Sequence, residues 1–341
     1  MNELSSDSLK VTFDIPTYNA EKHLRKCLQS ILQQDYPSSK IEILVADGGS
    51  IDNTVKISKE MGAKVLSNPK RLADFGAKIN AKNATGDLFV IFAADNELGS
   101  STWTKDVTKI FQKHPEVSVV WGKIISGKED PPINKYYELI QSDPLMYFMN
   151  KNLEMYLKNS SQHDIDGRKY FLFDVDPNIP LVWGANGIVY RLNLVRDIIL
   201  DEGFIGDNDV FQKLIEKGFS KVVYMPTLTT YHHHLNSLKI WVEKWRRNYD
   251  NHFLNQLTTR NMQWVAVKHF RMKLLIWICY SMVPIFSFSH TIFLLLRDLN
   301  RHWLYHPVAS FLQCIFLLRI SIVSKEGRRM IINTLKRGGL D

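Results

Sequence analysis

Short apolar runs alternate with stretches of helical periodicity over the first third of the chain. Runs rich in β-branched and aromatic residues predict four buried strands, over Val11–Ile15, Ile41–Ala46, Leu88–Phe92 and Val117–Trp121. Helical spacing of apolar residues predicts a helix over Ala20–Gln34 with Asn19 as its N-cap, and three more over Asp52–Gly62, Phe75–Ala84 and Thr104–Lys113. This alternation predicts an α/β domain built from right-handed βαβ units around a mostly parallel sheet.

The middle of the chain, from about Lys123 to Ile199, has less regular patterning. It contains Pro131–Pro132, an aromatic-rich segment over Tyr136–Tyr156 and the polar stretch Asp174–Pro180. Irregular segments on a rigid scaffold often carry the residues that recognise a substrate. We therefore expect this region to contribute to substrate recognition.

Two long apolar stretches follow toward the C-terminal end. Leu274–Leu296 contains no Asp, Glu, Lys or Arg, and Trp303–Val323 is interrupted only by Arg319. Each is long enough to cross a bilayer. Basic residues flank both stretches and lie in the loop between them: Arg271, Lys273, Arg297, Arg301, Lys325 and Arg328. Because a two-span hairpin would carry the basic middle loop across the membrane, the pattern favours a re-entrant or interfacial arrangement. A buried helical hairpin in a soluble protein is the alternative.

The net charge narrows the choice of partners. The 341-residue chain has a formal net charge of +8, and its basic excess gathers around Lys244–Arg247 and Lys325–Arg337. Such a surplus suits a phosphate-bearing ligand or an anionic membrane surface. Aromatic and basic residues are not interleaved as a single-strand nucleic-acid platform requires, so we expect no nucleic-acid partner.

The cysteines and the N-terminal segment indicate the compartment. Cys27, Cys279 and Cys314 lack metal-type spacing and are embedded in apolar stretches, which favours reduced thiols in a cytosolic setting. The polar, acid-containing start of the chain lacks the layout of a secretory signal. We therefore expect the catalytic part to lie in the cytoplasm, at the cytoplasmic face of a membrane.

Polar turns follow three of the predicted strands. The first strand runs into Pro16–Asn19, the second into Asp47–Thr54, and the third into Ala93–Asn96. Ligands bind at the carboxyl edge of an open α/β sheet, and an acid directly after a buried strand is suited to holding a hard cation. Taken singly, each turn also fits plain strand-to-helix punctuation or a helix N-cap.

Together, these turns resemble the pattern of family 2 glycosyltransferases, which have the GT-A (Rossmann-like) fold. The resemblance covers Val11 to about Gly122, with weaker support to about Asn248. It rests on the Pro-Thr-Tyr-Asn turn, the Asp-Gly-Gly-Ser loop with its Asp-x-Thr continuation, and the segment Gly76–Asp87. It implies these nucleotide-sugar-binding residues: Pro16, Thr17, Tyr18, Asn19, Asp47, Gly48, Gly49, Ser50, Lys78, Ala94, Asp95 and Asn96.

The predicted metal turn departs from the family. Where the family has Asp-x-Asp, this chain has Ala93-Ala94-Asp95, so only the last acid remains for the metal, and Asn96, Glu97 or water is left to compensate. In GT-A enzymes a late His completes the metal shell, which makes His232 and His234 candidate ligands. On a strand these two share a side and His233 does not. A structural role is the alternative for both.

The resemblance also implies a catalytic base. Phe204–Asp209 resembles the family's Glu-Asp-x-Asp segment, with Gly206 in place of the Glu, and it assigns Asp207 as the base and Asp209 as its companion. Paired carboxylates can raise one pKa toward neutrality. Helix N-capping is the alternative.

Two further groups complete the implied site. Trp183, Gly184 and Asn186 resemble an acceptor-side loop, for which packing at a tight turn is the alternative. The cluster Lys244, Arg246 and Arg247 is assigned to binding the leaving diphosphate or membrane phosphates. A solvated helix face is the alternative.

The resemblance implies an inverting transfer from a nucleotide-diphosphate-sugar to a hydroxyl of a glycan or lipid-linked acceptor, assisted by Mn²⁺ or Mg²⁺. The implied catalytic domain is residues 1–248, with a nucleotide-sugar half (1–122) and an acceptor half (123–248), and residues 249–341 form a helical, apolar and basic membrane-associating region. The main alternative is a degenerate nucleotide-sugar-binding scaffold. A nucleotidyltransferase fits less well, because Pro16–Asn19 is not a Gly-rich phosphate loop.

Overall fold

A computed structural model describes residues 8–149, 152–179, 181, 186–201, 206–248, 270–325, 328–329 and 332, apart from the side chains at 207–208, 247–248 and 270–271. The chain divides into two compact units. The first comprises Met1–Gly127 and Asn152–His233, and the second Lys128–Lys151 and His234–Asp341. The functional boundary expected after Asn248 stays a prediction.

The first unit combines strands and helices. Its strands are β1 (Val11–Thr17), β2 (Ile41–Asp47), β3 (Lys64–Ser67), β4 (Leu88–Ile91), β5 (Asn96–Leu98), β6 (Val119–Trp121), β7 (Ile124–Ile125), β8 (Ser161–Ile165), β9 (Arg168–Asp174), β10 (Ile188–Arg191), β11 (Lys221–Tyr224) and β12 (Thr230–His232). Its α-helices are α1 (Glu21–Leu32), α2 (Thr54–Glu60), α3 (Ala73–Asn83), α4 (Trp103–Lys113), α7 (Asn152–Lys158), α8 (Leu192–Leu200) and α9 (Asp207–Glu216).

The main sheet places three polar turns on one edge. Among the described residues its order is β3-β2-β1-β4-β10-β6-β11-β9-β8. The first four strands are parallel, and the register pairs Thr17 with Asp47 and Asp47 with Ser67. The turns after β1, β2 and β4 therefore lie at the same carboxyl edge. The predicted α/β class is confirmed, while the other half of the sheet is mixed because β10 runs antiparallel to β4 and β6.

A small second sheet brings a distant segment to this edge. Its order is β5-β12-β7, and β12 pairs antiparallel with β5 so that His232 lies opposite Asn96. Because β5 directly follows the turn of Asp95, this pairing carries a strand from position 230 to the end of β4.

The first helix differs from its prediction at both ends. Leu24 and Leu28 are buried as the periodicity predicts, whereas Leu32 is half-exposed at 50%. The prediction of Asn19 as N-cap is wrong, because Ala20 occupies that position and Asn19 adopts a left-handed conformation with φ of 49°. Its side-chain oxygen instead accepts from the backbone N–H of Ile51 at 3.0 Å.

The second unit is helical in its described part. Its α-helices are α5 (Pro132–Ile140), α6 (Pro144–Met149), α10 (Leu238–Asn248), α11 (Phe270–Met282), α12 (Pro284–Asp298) and α13 (Tyr305–Val323). An aromatic core joins its two chain segments, since Tyr136 from α5 contacts the rings of Trp241 in α10 and Trp303 before α13. The described residues 128–149 thus pack with the C-terminal helices.

Two elements of this unit meet the length and composition of a membrane span. Among the described residues one continuous helical stretch, Arg301–Val323, is long and apolar enough to cross a bilayer. The pair Met272–Met282 and Pro284–Asp298 meets the same test jointly but is bent by 89°. Buried helices of soluble proteins can also pass this test. The surroundings of these helices must therefore decide between a membrane-associated region and a buried helical hairpin.

Candidate active site

The first two turns are joined by a buried hydroxyl–carboxylate contact. Thr17 ends β1, Asp47 ends β2, and each is 6% exposed. Thr17 Oγ1 donates to Asp47 Oδ1 at 3.1 Å. The parallel register imposes this contact, because it sets these two residues opposite each other at the ends of their strands.

Asp47 also closes its own loop. Its Oδ2 accepts from the backbone N–H groups of Gly49 at 3.0 Å and Ser50 at 2.9 Å, and its Oδ1 accepts from Ser50 Oγ at 2.5 Å. With the Thr17 contact, four donors occupy a carboxylate that has about four lone-pair positions. In this arrangement Asp47 shapes the loop, and direct contact with a nucleotide base requires one of these bonds to be exchanged.

The glycines of this loop allow close backbone approach. Gly49 has a φ of +80°, which L-residues rarely adopt. A Cβ at Gly48 would lie 3.3 Å from both the Thr17 carbonyl oxygen and Tyr18 Cδ2. Pro16 precedes Thr17 within β1, so the predicted donor residues from 16 to 18 and from 47 to 50 lie at one edge of the sheet, where Tyr18 and Gly49 are exposed at the surface.

A residue that the sequence analysis missed lies beside this surface. The guanidinium of Arg71 lies 5.3 Å from the centroid of the Tyr18 ring, and Tyr18 is 48% exposed. Arg71 follows β3, whose last residue, Ser67, pairs with Asp47, and it is left-handed with φ of 57°. The sequence signal that could have identified Arg71 is its position as a basic residue shortly after β3, the strand next to β2.

Asn19 and Lys78, which were predicted to contact the nucleotide-sugar, make hydrogen bonds within the protein. Asn19 connects the first two turns, since its N–H donates to Ser50 Oγ at 2.8 Å. Lys78 lies on α3 and its ammonium donates to the carbonyl oxygen of Asp201. Burial lowers the pKa of Lys78, and Asp201 partly offsets that effect. Their assignment to the nucleotide-sugar stays a prediction.

The third turn carries a carboxylate–imidazole pair. Asp95 follows β4, and its Oδ1 lies 3.5 Å from Nε2 of His232, a residue only 4% exposed. The backbone N–H of His233 donates to the Asp95 carbonyl oxygen at 3.0 Å, which fixes the chain beyond β12 against the turn. The fold thus brings together Asp95 and His232, two of the three residues predicted to bind metal.

Two side-chain amides, those of Asn96 and Asn186, lie on the side of the His232 ring that faces away from Asp95. Asn96 Nδ2 donates to Asn186 Oδ1 at 3.0 Å, and Asn186 Nδ2 lies 3.4 Å from Nδ1 of His232. The side-chain oxygen of Asn96 is buried without a hydrogen bond. Asn186 was predicted on the acceptor side, but here it contacts the ring nitrogen of His232 that faces away from Asp95. Trp183 and Gly184 lie outside the described residues.

The other groups near the turn are poor metal ligands. Burial raises the pKa of the Cys27 thiol well above its ordinary value, with Asp95 and Glu97 adding to the effect, so this thiol below Ala93 stays protonated. His233 is engaged by Glu97, whose Oε1 lies 3.0 Å from its Nε2. Ala94 is half-buried against the core and offers no ligand atom.

The predicted catalytic segment begins a helix. Asp207 and Asp209 belong to the first turn of α9, and the N–H of Gly206 donates to Asp209 Oδ2 at 3.1 Å. Asp209 therefore caps the helix, as the alternative interpretation expected. The Asp207 side chain lies outside the described part of the structure.

The remaining predicted residues belong to the second unit. Lys244 Nζ donates to the His234 carbonyl oxygen at 2.8 Å and lies 3.2 Å from His234 Nδ1. The His234 ring also packs on Tyr137 at 5.5 Å between centroids. Arg246 is exposed on α10, and the Arg247 side chain is outside the described set.

Comparison with known proteins identifies the class. Residues 13–179 match the model of glycosyl transferase family 2. The mannosyltransferase PcManGT from Pyrobaculum calidifontis, solved with GDP-Man and Mn²⁺, has a TM-score of 0.54 at 15% identity over 92% of this chain and 87% of that one. The fold is therefore that of the GT-A glycosyltransferases. Residues 13–179 of this chain are a glycosyl transferase family 2 domain.

Two curated relatives have similar sequences. Glycosyltransferase GlyA of Streptococcus pneumoniae is 27% identical over 268 residues, covering 76% of this chain and 36% of that protein. The dolichyl N-acetyl-alpha-D-glucosaminyl phosphate 3-beta-D-2,3-diacetamido-2,3-dideoxy-beta-D-glucuronosyltransferase of Methanococcus voltae is 40% identical over 91 residues, covering 25% of this chain and 28% of that protein. The chain thus spans only about a third of these relatives' length.

Proposed function

We propose that this chain transfers a sugar from a nucleoside-diphosphate sugar to a hydroxyl of an acceptor, with inversion at the anomeric carbon. The observation that carries the proposal is the common carboxyl edge of β2, β1 and β4, where the Thr17–Asp47 loop and the Asp95–His232 pair follow neighbouring strands. An open α/β sheet binds its ligands at this edge. The family relationship favours a nucleotide-sugar as that ligand.

The donor end of the proposed site is the surface around Asp47. The Gly48–Gly49 backbone permits close approach, and the exposed Tyr18 ring with the Arg71 guanidinium offers a flat, cationic face for a base or diphosphate. A loop whose shape is held by four hydrogen bonds loses little conformational entropy on binding.

The proposed metal end is the Asp95–His232 pair. One oxygen ligand and one imidazole ligand suit Mn²⁺, or Mg²⁺ with more water, and His234, two residues further along the chain, is a third candidate. A relative in fold is described with GDP-Man and Mn²⁺. Such a cation, when bound, stabilises the negative charge on the departing diphosphate.

For the base we propose Asp207. A general base must take the proton from the acceptor hydroxyl as that oxygen attacks the sugar. Because Asp209 caps the helix through the N–H of Gly206, it fixes the first turn of α9 and therefore the backbone of Asp207. Asp209 acts as a positioning residue in this scheme.

We infer that the acceptor is a glycan or a lipid-linked saccharide at the cytoplasmic face of a membrane, as in polysaccharide assembly. The apolar helices of the second unit support a membrane location, and the exposed Arg246 beside Lys244 suits lipid phosphates. One relative is named as acting on a dolichyl-linked sugar phosphate.

A donor panel tests this proposal. Thermal unfolding is measured with UDP-, GDP- and dTDP-sugars, each with and without Mn²⁺, and we expect one nucleotide class to raise the midpoint, more so with the metal. Donor hydrolysis or transfer is then measured for the wild type and Asp207→Asn. Loss of turnover with donor stabilisation intact supports the base assignment, and no stabilisation by any donor overturns the donor site.

A non-catalytic nucleotide-sugar-binding scaffold is the second candidate. It is favoured by the single acid of Ala93-Ala94-Asp95 and by the use of the Asp209 carboxylate as a helix cap. A scaffold binds donor but shows no Mn²⁺-dependent hydrolysis or transfer in the wild type. The same turnover measurement therefore separates the two functions.

A further inference from the structure

The second unit has an inverted distribution of polarity. Along its last three helices, polar side chains are buried to 2% exposure or less: Ser281, Ser287, Thr291, His306, Ser310 and Gln313. Large apolar side chains of the same helices are exposed, among them Ile285 at 67%, Leu296 at 71% and Phe293 at 58%. The first unit also buries polar side chains such as Asp14 and Asn80, but only six of its described large apolar side chains are exposed: Tyr18, Leu32, Ile51, Met155, Leu200 and Phe219. An inverted pattern costs free energy in water but not in lipid.

Three of these six buried side chains, Ser287, His306 and Gln313, make hydrogen bonds, whereas the hydroxyls of the other three make none among the described residues. Tyr136 Oη lies 2.7 Å from His306 Nδ1, and Gln313 accepts from the N–H of Leu145 at 2.9 Å while donating to Asp143 Oδ1 at 2.8 Å. Polar contacts inside and apolar residues outside indicate that the exterior of these helices is matched to hydrocarbon.

The bend between α11 and α12 restricts how they meet a bilayer. The two helices form an angle of 89° around Val283, and Pro284 begins α12. At 1.5 Å per residue, α11 and α12 are roughly 20 Å and 22 Å long, which is less than the roughly 30 Å hydrocarbon core. Neither helix crosses the core alone, and together they do not form a straight span.

Apolar residues lie at the bend, and basic residues lie at the far ends. We name residues 282–288 the elbow; its exposed members are Met282 (38%), Val283 (41%), Ile285 (67%), Phe286 (55%) and Phe288 (52%). Lys273 lies near the start of α11; Arg297, which pairs with Asp298, ends α12, and Arg301 lies just beyond it. An apolar bend between two basic ends matches one anionic leaflet, with hydrocarbon at the bend and headgroups at both ends.

We propose that the elbow enters the hydrocarbon of a single anionic leaflet and that the chain returns to the side from which it entered. This inference deepens the proposed membrane association and rests on it, but it does not depend on catalysis. It commits to lipid as the partner of the elbow and to a re-entrant path for α11 and α12.

Vesicle flotation tests the elbow with the full-length chain. Neutral phosphatidylcholine vesicles are compared with vesicles that also contain phosphatidylglycerol, for the wild type, Phe286→Glu/Phe288→Glu, and the control Leu32→Glu/Phe219→Glu. The control residues are similarly exposed, at 50% and 40%, but belong to the first unit. We expect the wild type and control to float with anionic vesicles and the elbow variant to lose binding at least tenfold.

Two outcomes of the flotation are distinct. An elbow variant that binds like the wild type overturns the elbow but leaves membrane association standing. If the wild type floats with neither kind of vesicle, both the elbow and the proposed membrane association are overturned. Donor-induced stabilisation, measured on the same variants, reports on the sugar site independently and also verifies that each variant is folded.

Labelling tests the re-entrant path. Leu299 is 87% exposed in the loop after α12, and Leu299→Cys is made together with Cys279→Ser, which removes the exposed native thiol. Protein is added to sealed vesicles, followed by a membrane-impermeant maleimide. We expect labelling without detergent, since a re-entrant path keeps this loop outside. Labelling only after detergent overturns the path.

Discussion

The Asp47 loop and the Asp95 turn lie at the same sheet edge but are constructed differently. Asp47 makes its bonds to Thr17 on the adjacent strand and to Gly49 and Ser50 within three residues of itself. Asp95 instead meets His232, which comes from 137 positions further along the chain and is carried in by β12. The first site is rigid and local, whereas the second depends on long-range assembly. The two should therefore respond differently to mutation.

The largest effect is expected at the long-range site. Asp95→Asn removes a carboxylate charge from a side chain that is 27% exposed, so the fold should be retained while turnover falls about 10²–10³-fold. Steady-state transfer against Mn²⁺ concentration measures this. Glu97→Gln is the matched control, because Glu97 has the same exposure and pairs with His233. An equal loss in the control would mean that Glu97 compensates for the missing first acid or that general negative charge, and not ligation by Asp95 alone, supports turnover.

The local site should combine a binding effect with a stability effect. Asp47→Ala removes the acceptor of four hydrogen bonds at a residue that is 6% exposed, which should cost about 3 kcal/mol of unfolding free energy and about 100-fold in donor affinity. Urea unfolding and donor titration measure the two losses. If Asp47 acts by shaping its loop, UDP- and GDP-sugars lose affinity equally, while a change in their ratio indicates direct base contact. Unchanged donor affinity contradicts both roles.

The same contrast explains what the sequence could predict. Four of the twelve described strands and the turn of Asp47 could be predicted because their signals are contiguous in the chain. Asn19 was misassigned as a cap because its oxygen is captured by Ile51, a residue that only the fold brings near. The contact of Asn186 with His232 depends on the pairing of β5 and β12, and neither periodicity nor motif spacing encodes that pairing.

Packing between distant segments was also hidden. The aromatic residues around Tyr136 predicted a substrate-recognition insertion, but in the structure this ring packs with Trp241 and Trp303 of the C-terminal helices. The apolar stretches themselves were visible in the sequence. Their inverted polarity was not, because burial of His306 and exposure of Ile285 are properties of the assembled helices.

A tenfold effect is expected from the amides behind His232. Asn186 Nδ2 faces His232 Nδ1, and a neutral imidazole that accepts at Nδ1 carries its proton on Nε2, the nitrogen nearest Asp95. Metal binding through Nε2 requires that this nitrogen carries no proton. Asn186→Asp offers an acceptor for an Nδ1 proton and should tighten Mn²⁺ binding about 10-fold, whereas Asn186→Ala removes the donor without supplying an acceptor and should tighten it by less.

Calorimetric Mn²⁺ titration without donor measures these affinities. Asn159→Asp, at an exposed position whose side chain donates only to the carbonyl oxygen of Met155 among its described hydrogen bonds, reports the effect of an added charge alone. Equal tightening by both Asp substitutions would mean that charge, and not the tautomer of His232, sets the affinity.

The smallest expected effect concerns the cationic face at Tyr18. Arg71→Ala removes the guanidinium that lies 5.3 Å from the ring, and a cation–π contact at an exposed site contributes about 0.5–1 kcal/mol, so the donor KM should rise about 2–5-fold with kcat unchanged. Arg25→Ala is the control, since Arg25 also holds a single described partner, Glu60, but lies on α1. Arg71→Lys separates charge from shape, because a lysine keeps the charge but not the planar group. If Arg71→Ala instead lowers kcat and leaves KM unchanged, Arg71 stabilises charge that develops during transfer. The local site around Asp47 would then contribute to the chemical step as well as to nucleotide binding.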